Sequence, residues 1–488
     1  MTSPESAPLF AFDNTYVRLP ERFYQRIDPT PVARPRPIRL NEALSRDLGL
    51  DPAQLKTETA ASIFAGNTVA PGSEPLAMAY AGHQFGNFVP QLGDGRAILI
   101  GEIIDAHGHR RDLHLKGAGQ TRFSRRGDGR AALGPVLREY IISEAMAALG
   151  VPTTRTLAAV ATGEQVFREG PLPGAVLVRV AASHIRVGTF EYFAARRDAE
   201  GLRTLADYAI ARHYPHCGDA SNPYRAFFDA VIAAQANLIA NWLLVGFIHG
   251  VMNTANMTIS GETIDFGPCA FMDFYNPHQV YSSIDTRGRY AYANQPTIGH
   301  WNLVCLAETL VPLLAESEEA AIREAEEAMS AFGPTFEAAY RAGLVRKLGL
   351  ADGAEDIALA LEMTRLMTET GADFTLCFRT LAEAAAQPGK DGEVRALFKD
   401  PAALDAWLPA WRARLRDPAG LLAVNPAFIP RNHLVEEVIA AAVGEGDFAP
   451  FERLLEVITL PFDDQPGREA YRLPPRPEQV VHQTFCGT

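Results

Sequence analysis

Apolar and polar residues alternate along the first part of this chain, whereas apolar residues recur at threes and fours along the rest. The alternating runs, which predict strands, lie at 96–103, 112–116, 154–161, 165–168 and 175–180, with one helical pattern at 134–149 between them. The first two runs flank a polar turn and predict a β-hairpin. Beyond Phe190 nearly every periodic segment is helical, out to Leu460. The pattern predicts a small mixed lobe followed by a large helical lobe.

The two ends of the chain carry less periodic structure. The first 90 residues are rich in loops and prolines, with one predicted helix at about 41–48, and we expect them to pack on the body as an extension. Four prolines beyond residue 465 predict an extended tail. The expected fold class is α+β, divided into an N-terminal extension (1–90), a small mixed lobe (91–188), a large-lobe core (189–300), a helical region (301–470) and a tail (471–488).

Composition narrows the classes of function. The chain has 488 residues, 47% of them apolar, which is enough for a large core. A net charge of −13 argues against nucleic acid as a partner, although a local basic pocket can still hold one nucleotide. Five cysteines without paired spacing, and no secretory signal, predict a cytoplasmic protein. No apolar run approaches membrane-spanning length, and we expect a monomer that has no membrane partner.

The most informative stretch follows Val245. Asn256 lies on a loop and Asp265 follows nine residues later, with a short hairpin predicted between them. This spacing is typical of the two metal ligands of a kinase-like nucleotide site. A kinase catalytic loop places its base five residues before the Asn, and here that position is Val251, which cannot accept a proton.

Residues of the small lobe fit the same kind of site. Lys116 ends a predicted strand and Glu139 lies in the following helix, as in the lysine–glutamate pair of kinases. Without the downstream Asn256 and Asp265, both residues would equally suit a solvated surface. Two segments rich in glycine and arginine, 93–96 and 117–130, suit phosphate contact but lack P-loop spacing, and polar surface turns are the alternative. Arg179, on a strand, would by itself be expected to face solvent.

Several long motifs, in order, resemble the SelO (YdiU) family of protein adenylyltransferases, from about residue 8 to the C-terminus. They are Gly82-His83-Gln84-Phe85-Gly86, Leu92-Gly93-Asp94-Gly95-Arg96, Leu113-His114-Leu115-Lys116-Gly117-Ala118-Gly119-Gln120-Thr121, Gly127-Asp128-Gly129-Arg130, His249-Gly250-Val251-Met252-Asn253-Thr254 and Ile264-Asp265-Phe266-Gly267-Pro268. The resemblance implies a kinase-like two-lobed fold that binds ATP in a reversed orientation and transfers AMP to Ser, Thr or Tyr hydroxyls of proteins.

The resemblance also implies roles for individual residues. ATP contacts would come from Gly93, Gly95, Arg96, Lys116, Asp128, Gly129, Arg179, Arg186 and Asp265. Asn256 and Asp265 would hold Mg²⁺ or Mn²⁺, and Glu139 would pair with Lys116. A conventional kinase-like phosphotransferase and a nucleotide-binding protein without turnover are the alternatives.

Ala255 departs from the family pattern, because the position directly before the metal-binding Asn carries the general-base Asp in the family. Without a proton acceptor, base catalysis, typically worth about 10²–10⁴-fold, would be lost. The chain is therefore expected to bind ATP with its metal and to transfer AMP poorly. Two explanations stay open: an engineered substitution that traps a bound state, favoured by the intact surrounding motifs, and a natural member without turnover.

Other residues invite secondary interpretations. Cys486 lies where some family members carry selenocysteine, but Tyr281 stands where the resemblance implies a partner cysteine, so a free tail thiol is expected. His249 is assigned to scaffolding. Three histidines suggest zinc but lack further ligands at metal-site spacing, and are assigned to the hairpin: His107, His109 and His114. Asp273 and Asp285 are left open between orienting substrate and orienting metal-bound water.

Overall fold

The computed structural model describes residues 9–485, which form a main antiparallel sheet followed by a largely helical part, with two further two-stranded sheets, Gly82–Gln84 with Asn87–Val89 and Phe247–Ile248 with Ala270–Phe271. The elements of the sheet part are β1 (Tyr24–Arg26), β2 (Arg36–Leu40), α1 (Glu42–Asp47), α2 (Pro52–Leu55), α3 (Glu58–Phe64), β3 (Leu76–Met78), β4 (Gly82–Gln84), β5 (Asn87–Val89), β6 (Ala97–Ile104), β7 (Arg110–Lys116), β8 (Ala131–Ala132), α4 (Leu133–Ala148), β9 (Arg155–Phe167) and β10 (Pro171–Ala181).

The main sheet has the strand order β1-β3-β6-β7-β10-β9-β2, with β8 also paired to β10. The predicted hairpin is confirmed as β6 and β7, and the two runs predicted at 154–161 and 165–168 form one continuous strand, β9. Several short strands, and two helices besides the predicted α1, lie in the first 90 residues. These elements escaped prediction because segments of three to seven residues contain too few positions to show a period.

Alternation along the central strands sends their side chains to two different cores. On β10, Val176 and Val178 face a core completed by the N-terminal helices, whereas Leu177 faces the core that contains α4. Side chains two residues apart lie on the same face of a strand. Arg179 therefore lies on the α4 face, and so does Lys116, which is paired with Leu177 in the sheet register.

The helical part confirms the prediction that periodicity beyond Phe190 is helical. Its elements are α5 (Val187–Ala194), α6 (Ala199–His213), α7 (Pro223–Leu244), β11 (Phe247–Ile248), β12 (Ala270–Phe271), α8 (Gln295–Leu314), α9 (Glu318–Met329), α10 (Phe332–Lys347), α11 (Ala354–Thr370), α12 (Phe374–Ala386), α13 (Asp391–Arg395), α14 (Pro401–Arg414), α15 (Leu421–Val424), α16 (Asn432–Gly444) and α17 (Ala449–Ile458). The α+β class is confirmed, and the arrangement as two kinase-like lobes stays a prediction.

Two helical segments are long and apolar enough to cross a membrane by length and composition alone. They are Pro223–Leu244 and Tyr292–Leu314, with 67% and 61% of their most apolar windows buried inside the protein. The sequence expectation that no segment reaches this length was wrong. Such burial is typical of core helices and is consistent with a soluble protein.

Arg431 joins three segments of the helical part. Its guanidinium lies 2.7 Å from Asp273 Oδ1, 2.7 Å from Asp373 Oδ2 and 2.8 Å from the carbonyl oxygen of Arg472. The arginine is almost completely buried. Asp273, left open in the sequence analysis, therefore holds this junction together. Asp285 accepts hydrogen bonds from the backbone amides of Arg289 and Tyr290 and has a similar structural role.

We predict that Arg431→Ala destabilises the protein by about 3–5 kcal/mol, because it leaves two buried carboxylates without their cation. The free energy of unfolding, measured in urea, is the readout. The matched control is Arg365→Ala, which removes an exposed arginine from pairs with Glu362 and Glu369 and should change the free energy of unfolding far less, because solvent screens these pairs. Equal losses in the two variants would contradict a structural role for the buried junction.

Candidate nucleotide site

A cavity of about 760 Å³ lies where the sheet part meets the loops that follow α7. Among its lining residues are all those that the resemblance assigns to ATP, the metal and the base position: Gly93, Gly95, Arg96, Lys116, Asp128, Gly129, Arg179, Arg186, Ala255, Asn256 and Asp265. Glu139 lies behind this wall, on α4. The fold thus brings the predicted residues together, while their individual roles stay predictions.

Asp265 is surrounded by three cations from the sheet side of the cavity. Its Oδ1 lies 2.6 Å from Arg179 Nη2 and 3.8 Å from Lys116 Nζ, and its Oδ2 pairs with Arg186 Nη1. Burial raises the pKa of Asp265, but the charges of Arg186, Arg179 and Lys116 outweigh that effect and hold the pKa well below its usual range. The carboxylate therefore stays ionised, as a metal ligand must be.

Lys116 and Glu139 form the ion pair that the sequence predicted. The ammonium contacts Glu139 Oε2, and Arg179 Nε and Nη2 lie 2.8 and 2.6 Å from Glu139 Oε1. Burial lowers the pKa of Lys116 despite the facing carboxylate, while the charges of Arg179 and Lys116 lower the pKa of Glu139 against the effect of its burial. With Arg186 and Asp265, this cluster has three cationic and two anionic side chains and so a net positive charge.

Arg179 does not face solvent, although the strand pattern alone favoured an exposed position. Its side chain is almost completely buried, because it points to the α4 face, where Glu139 is available as a partner. Arg186, directly before α5, stacks over the Tyr80 ring at 4.8 Å and donates to the backbone oxygen of Ala255 at 2.5 Å. The two arginines thus link the sheet part to Asp265 and to the loop that carries Ala255.

The loop at 253–256 is fixed by hydrogen bonds of its own side chains and by one from Arg186 to its backbone. A short 3₁₀ turn spans Thr254–Asn256, and the Asn256 side-chain amide donates to Val251 O at 3.0 Å. That leaves Asn256 Oδ1 as the atom it can offer to a cation. His249 is buried and its Nε2 lies 2.9 Å from Ile264 O, while its backbone amide donates to Gln295. These contacts agree with the scaffolding role expected for His249.

The hairpin predicted between Asn256 and Asp265 does not form a ladder of its own. Thr258 instead pairs with Arg186, and Thr263 with Thr153. The hydroxyl of Thr258 closes the turn, since it donates to Glu262 O at 2.7 Å and accepts from Glu262 N at 3.0 Å. The prediction was wrong because each predicted arm pairs with a segment outside the hairpin, not with the other arm. Asp265 follows in a left-handed backbone conformation, with φ +63°.

The loop at 93–96 requires glycine at two positions. A Cβ at Gly93 would lie 2.3 Å from the Phe123 ring, and one at Gly95 would lie 2.7 Å from Phe123 O. Between them, buried Asp94 accepts from Met78 N at 3.0 Å and lies 3.2 Å from His114 Nε2. The two glycine-rich segments are therefore packed on one another at the cavity wall.

Two residues at this wall, Asp94 and His114, have contacts that the sequence did not predict. His114 lies in the hairpin, as predicted, on β7, where it also lines the cavity and contacts Asp94. The turn that contains His107 and His109 is held by Asp105. Asp128 pairs with Arg168 at 2.9 Å. Asp94 lies between two glycines of a motif shared with the family, and this position is the one sequence feature that could have indicated its place at the cavity wall.

The described end of the tail lies against the segment that follows Asp265. Buried Thr484 donates through its hydroxyl to Pro268 O at 2.6 Å and through its amide to Tyr281 O at 2.7 Å, and its carbonyl oxygen accepts from Ser283 N at 3.1 Å. Tyr281 is itself buried in the core. Cys486 lies outside the described residues, so its predicted free thiol stays a prediction.

Comparisons with known proteins agree on one family. The sequence profile described as "Protein adenylyltransferase SelO" matches residues 9–459. A protein of Bradyrhizobium sp. (strain BTAi1 / ATCC BAA-1182) named "Protein nucleotidyltransferase YdiU" is 62% identical over 98% of this chain and 99% of its own length. Proteins of the same name from Methylorubrum extorquens and Rhizobium meliloti are each 61% identical, with the same coverage.

Glu262, in the turn between Asn256 and Asp265, is a largely buried acid, and Arg111 Nη1 lies 3.7 Å from its Oε1. Its carboxylate accepts from Ala182 N at 2.9 Å and from the Ser260 hydroxyl at 3.1 Å. Burial raises its pKa from 4.5 to about 6. Because the folded state binds this proton more tightly than the unfolded state, the stability it contributes below pH 4.5 is lost as the pH rises through 6.

We predict that Glu262→Gln removes this pH dependence while it keeps the two accepted hydrogen bonds. Between pH 4.5 and 7.5 the stability of the variant relative to the parent should rise by about 1.5 kcal/mol. Urea unfolding of both proteins across this range gives the measurement. If the two stability curves run parallel, the carboxyl group of Glu262 does not have a raised pKa.

Proposed function

Because this chain belongs to the SelO family of protein adenylyltransferases, we propose that its cavity binds ATP and that it transfers AMP to Ser, Thr or Tyr hydroxyls of other proteins. The hydroxyl oxygen bonds to the α-phosphorus, the bond from this phosphorus to the bridging oxygen breaks, and pyrophosphate leaves. The observation that carries the proposal is the cluster of three cations around Asp265 in the cavity wall.

The cation cluster suits ATP bound with its β- and γ-phosphates inward. Attack at the α-phosphorus expels a highly charged leaving group, so the enzyme must stabilise negative charge at the buried end of the nucleotide. Arg179 and Lys116 lie on the buried sheet side, and Arg186 lies beside the loop that carries Ala255. Arginines offer bidentate hydrogen bonds to phosphate oxygens.

The residues at the cavity also fit a divalent metal. Asn256 can offer its amide oxygen and Asp265 its ionised carboxylate, and oxygen donors are the ligands that Mg²⁺ and Mn²⁺ prefer. Both residues line the same cavity wall. When bound, such an ion would neutralise charge on the reacting phosphate oxygens. Arg179 and Arg186 keep Asp265 ionised and hold its carboxylate at the cavity wall.

Ala255 is proposed to make this chain a weak enzyme. It occupies the position that the resemblance assigns to the general base, lines the cavity and has only a methyl side chain. The proton of the attacking hydroxyl then has to pass to solvent. A nucleotide-binding protein without turnover is the second candidate function, and the same residue favours it.

We predict that Ala255→Asp raises AMP transfer by about 10²–10⁴-fold, because it supplies a proton acceptor beside Asn256. Transfer from ATP labelled at the α-phosphate is measured on the protein itself and on a panel of proteins as acceptors, with mass spectrometry of the product. The matched control is Ala255→Asn, which has nearly the same size and shape but no base.

Each result of this experiment separates the candidate functions. Equal rates for the Asp and Asn variants would show that the base assignment is wrong. A gain of phosphate would indicate a phosphotransferase, and no gain with ATP still bound, measured by calorimetry, would favour the binding protein. Absence of ATP binding in all three proteins would refute the proposed use of the cavity.

A further inference from the structure

Three potential metal ligands meet behind the loop that carries Ala255. They are His83 on β4, Glu191 on α5 and Cys305 on α8, and their ligand atoms all lie within 4.8 Å of one another. Glu191 and Cys305 are buried, and His83 is partly buried. The three residues are far apart in the sequence, so no local motif brings them together.

The donor set differs in kind from that of the nucleotide site. An imidazole nitrogen, a carboxylate oxygen and a thiol sulfur favour a borderline-soft ion such as Zn²⁺, whereas Asn256 and Asp265 offer only oxygen. His83 Nδ1 lies 2.5 Å from Glu191 Oε1, and this hydrogen bond holds the two ligand groups side by side. Cys305 forms no disulfide among the described residues, and its sulfur is therefore available to an ion.

We propose that His83, Glu191 and Cys305 form a second metal site, which binds a zinc-like divalent ion through three protein ligands and leaves a fourth position for water. Binding displaces the proton of the His83–Glu191 hydrogen bond and the thiol proton of Cys305, and both protons pass to solvent. The ion then bonds to the imidazole nitrogen, the carboxylate oxygen and the thiolate. No electron is transferred.

The position of this site gives the ion a structural consequence for the catalytic loop. Glu191 Oε2 accepts from the Thr254 hydroxyl at 2.5 Å, and that hydroxyl accepts from His83 N at 2.7 Å. A Cβ at Gly82 would lie 3.0 Å from the Cβ of Ala255, so β4 packs directly on the loop. An ion at the three ligands would therefore tie β4, α5 and α8 together immediately behind residue 255.

Cobalt(II) is the probe that separates this site from the nucleotide site. Bound by a thiolate, Co²⁺ has a strong near-ultraviolet charge-transfer band, which an all-oxygen site cannot produce. We expect the full-length protein to show this band at one equivalent of Co²⁺, with Mg²⁺ and ATP present in excess. Zn²⁺ should abolish the band by competition.

Three cysteine variants identify the sulfur ligand. Cys305→Ser should abolish the band, whereas the matched controls Cys217→Ser, at a buried cysteine elsewhere, and Cys486→Ser, at the tail, should keep it. A band that survives in Cys305→Ser, or disappears in either control, would overturn the proposal. So would the absence of any band in the parent protein.

His83→Gln provides a second test that does not depend on the folding of the Cys305 variant. Because His83 is only partly buried, we expect the variant to fold and to weaken Co²⁺ binding by about ten-fold or more. Circular dichroism checks the fold of each variant. Unchanged Co²⁺ affinity in a folded His83→Gln protein would exclude the three-ligand site.

Discussion

The carboxylate of Asp265 is the group on which the arrangement of this cavity depends. Asp265 has a left-handed backbone conformation and lies in the helical part, yet all three of its cationic partners come from the sheet part or its last connection. Two unit charges about 4 Å apart interact by about 4 kcal/mol at an effective dielectric constant of about 20. These contacts favour the unusual backbone conformation of Asp265, and they link the sheet part to the loop that carries this residue.

The same contacts explain how several cations can lie close together at the wall of one cavity. Buried cations without partners would be costly to keep charged, and burial does lower the pKa of Lys116. Glu139 and Asp265 compensate that cost, and both contact Arg179. A polyphosphate that enters the cavity would meet cationic donors already in place. It would have to compete for them with the carboxylates of Glu139 and Asp265.

The sequence predicted those features that depend on local pattern or on motif. Lys116 and Glu139 were expected to pair because a strand-end lysine followed by a helical glutamate is a known arrangement, and the pair is present. The burial of Arg179 was not expected, because alternation specifies two faces of a strand but not which face is covered. The prediction of a hairpin before Asp265 was wrong for a related reason, since its two arms pair with Arg186 and Thr153 and not with each other. Register between distant segments is set by tertiary contacts that no local window contains.

The loop that carries Ala255 is held by groups other than the side chain at that position. Asn253 Oδ1 accepts from Phe85 N at 3.0 Å and from the Tyr290 hydroxyl at 2.8 Å, Thr254 donates to Glu191, and Arg186 donates to the backbone oxygen of Ala255. None of these bonds requires a carboxylate at residue 255. The geometry of the loop and the chemistry of the side chain at residue 255 are therefore separable, so an alanine here can remove a proton acceptor without disturbing the residues proposed to hold the metal and the nucleotide.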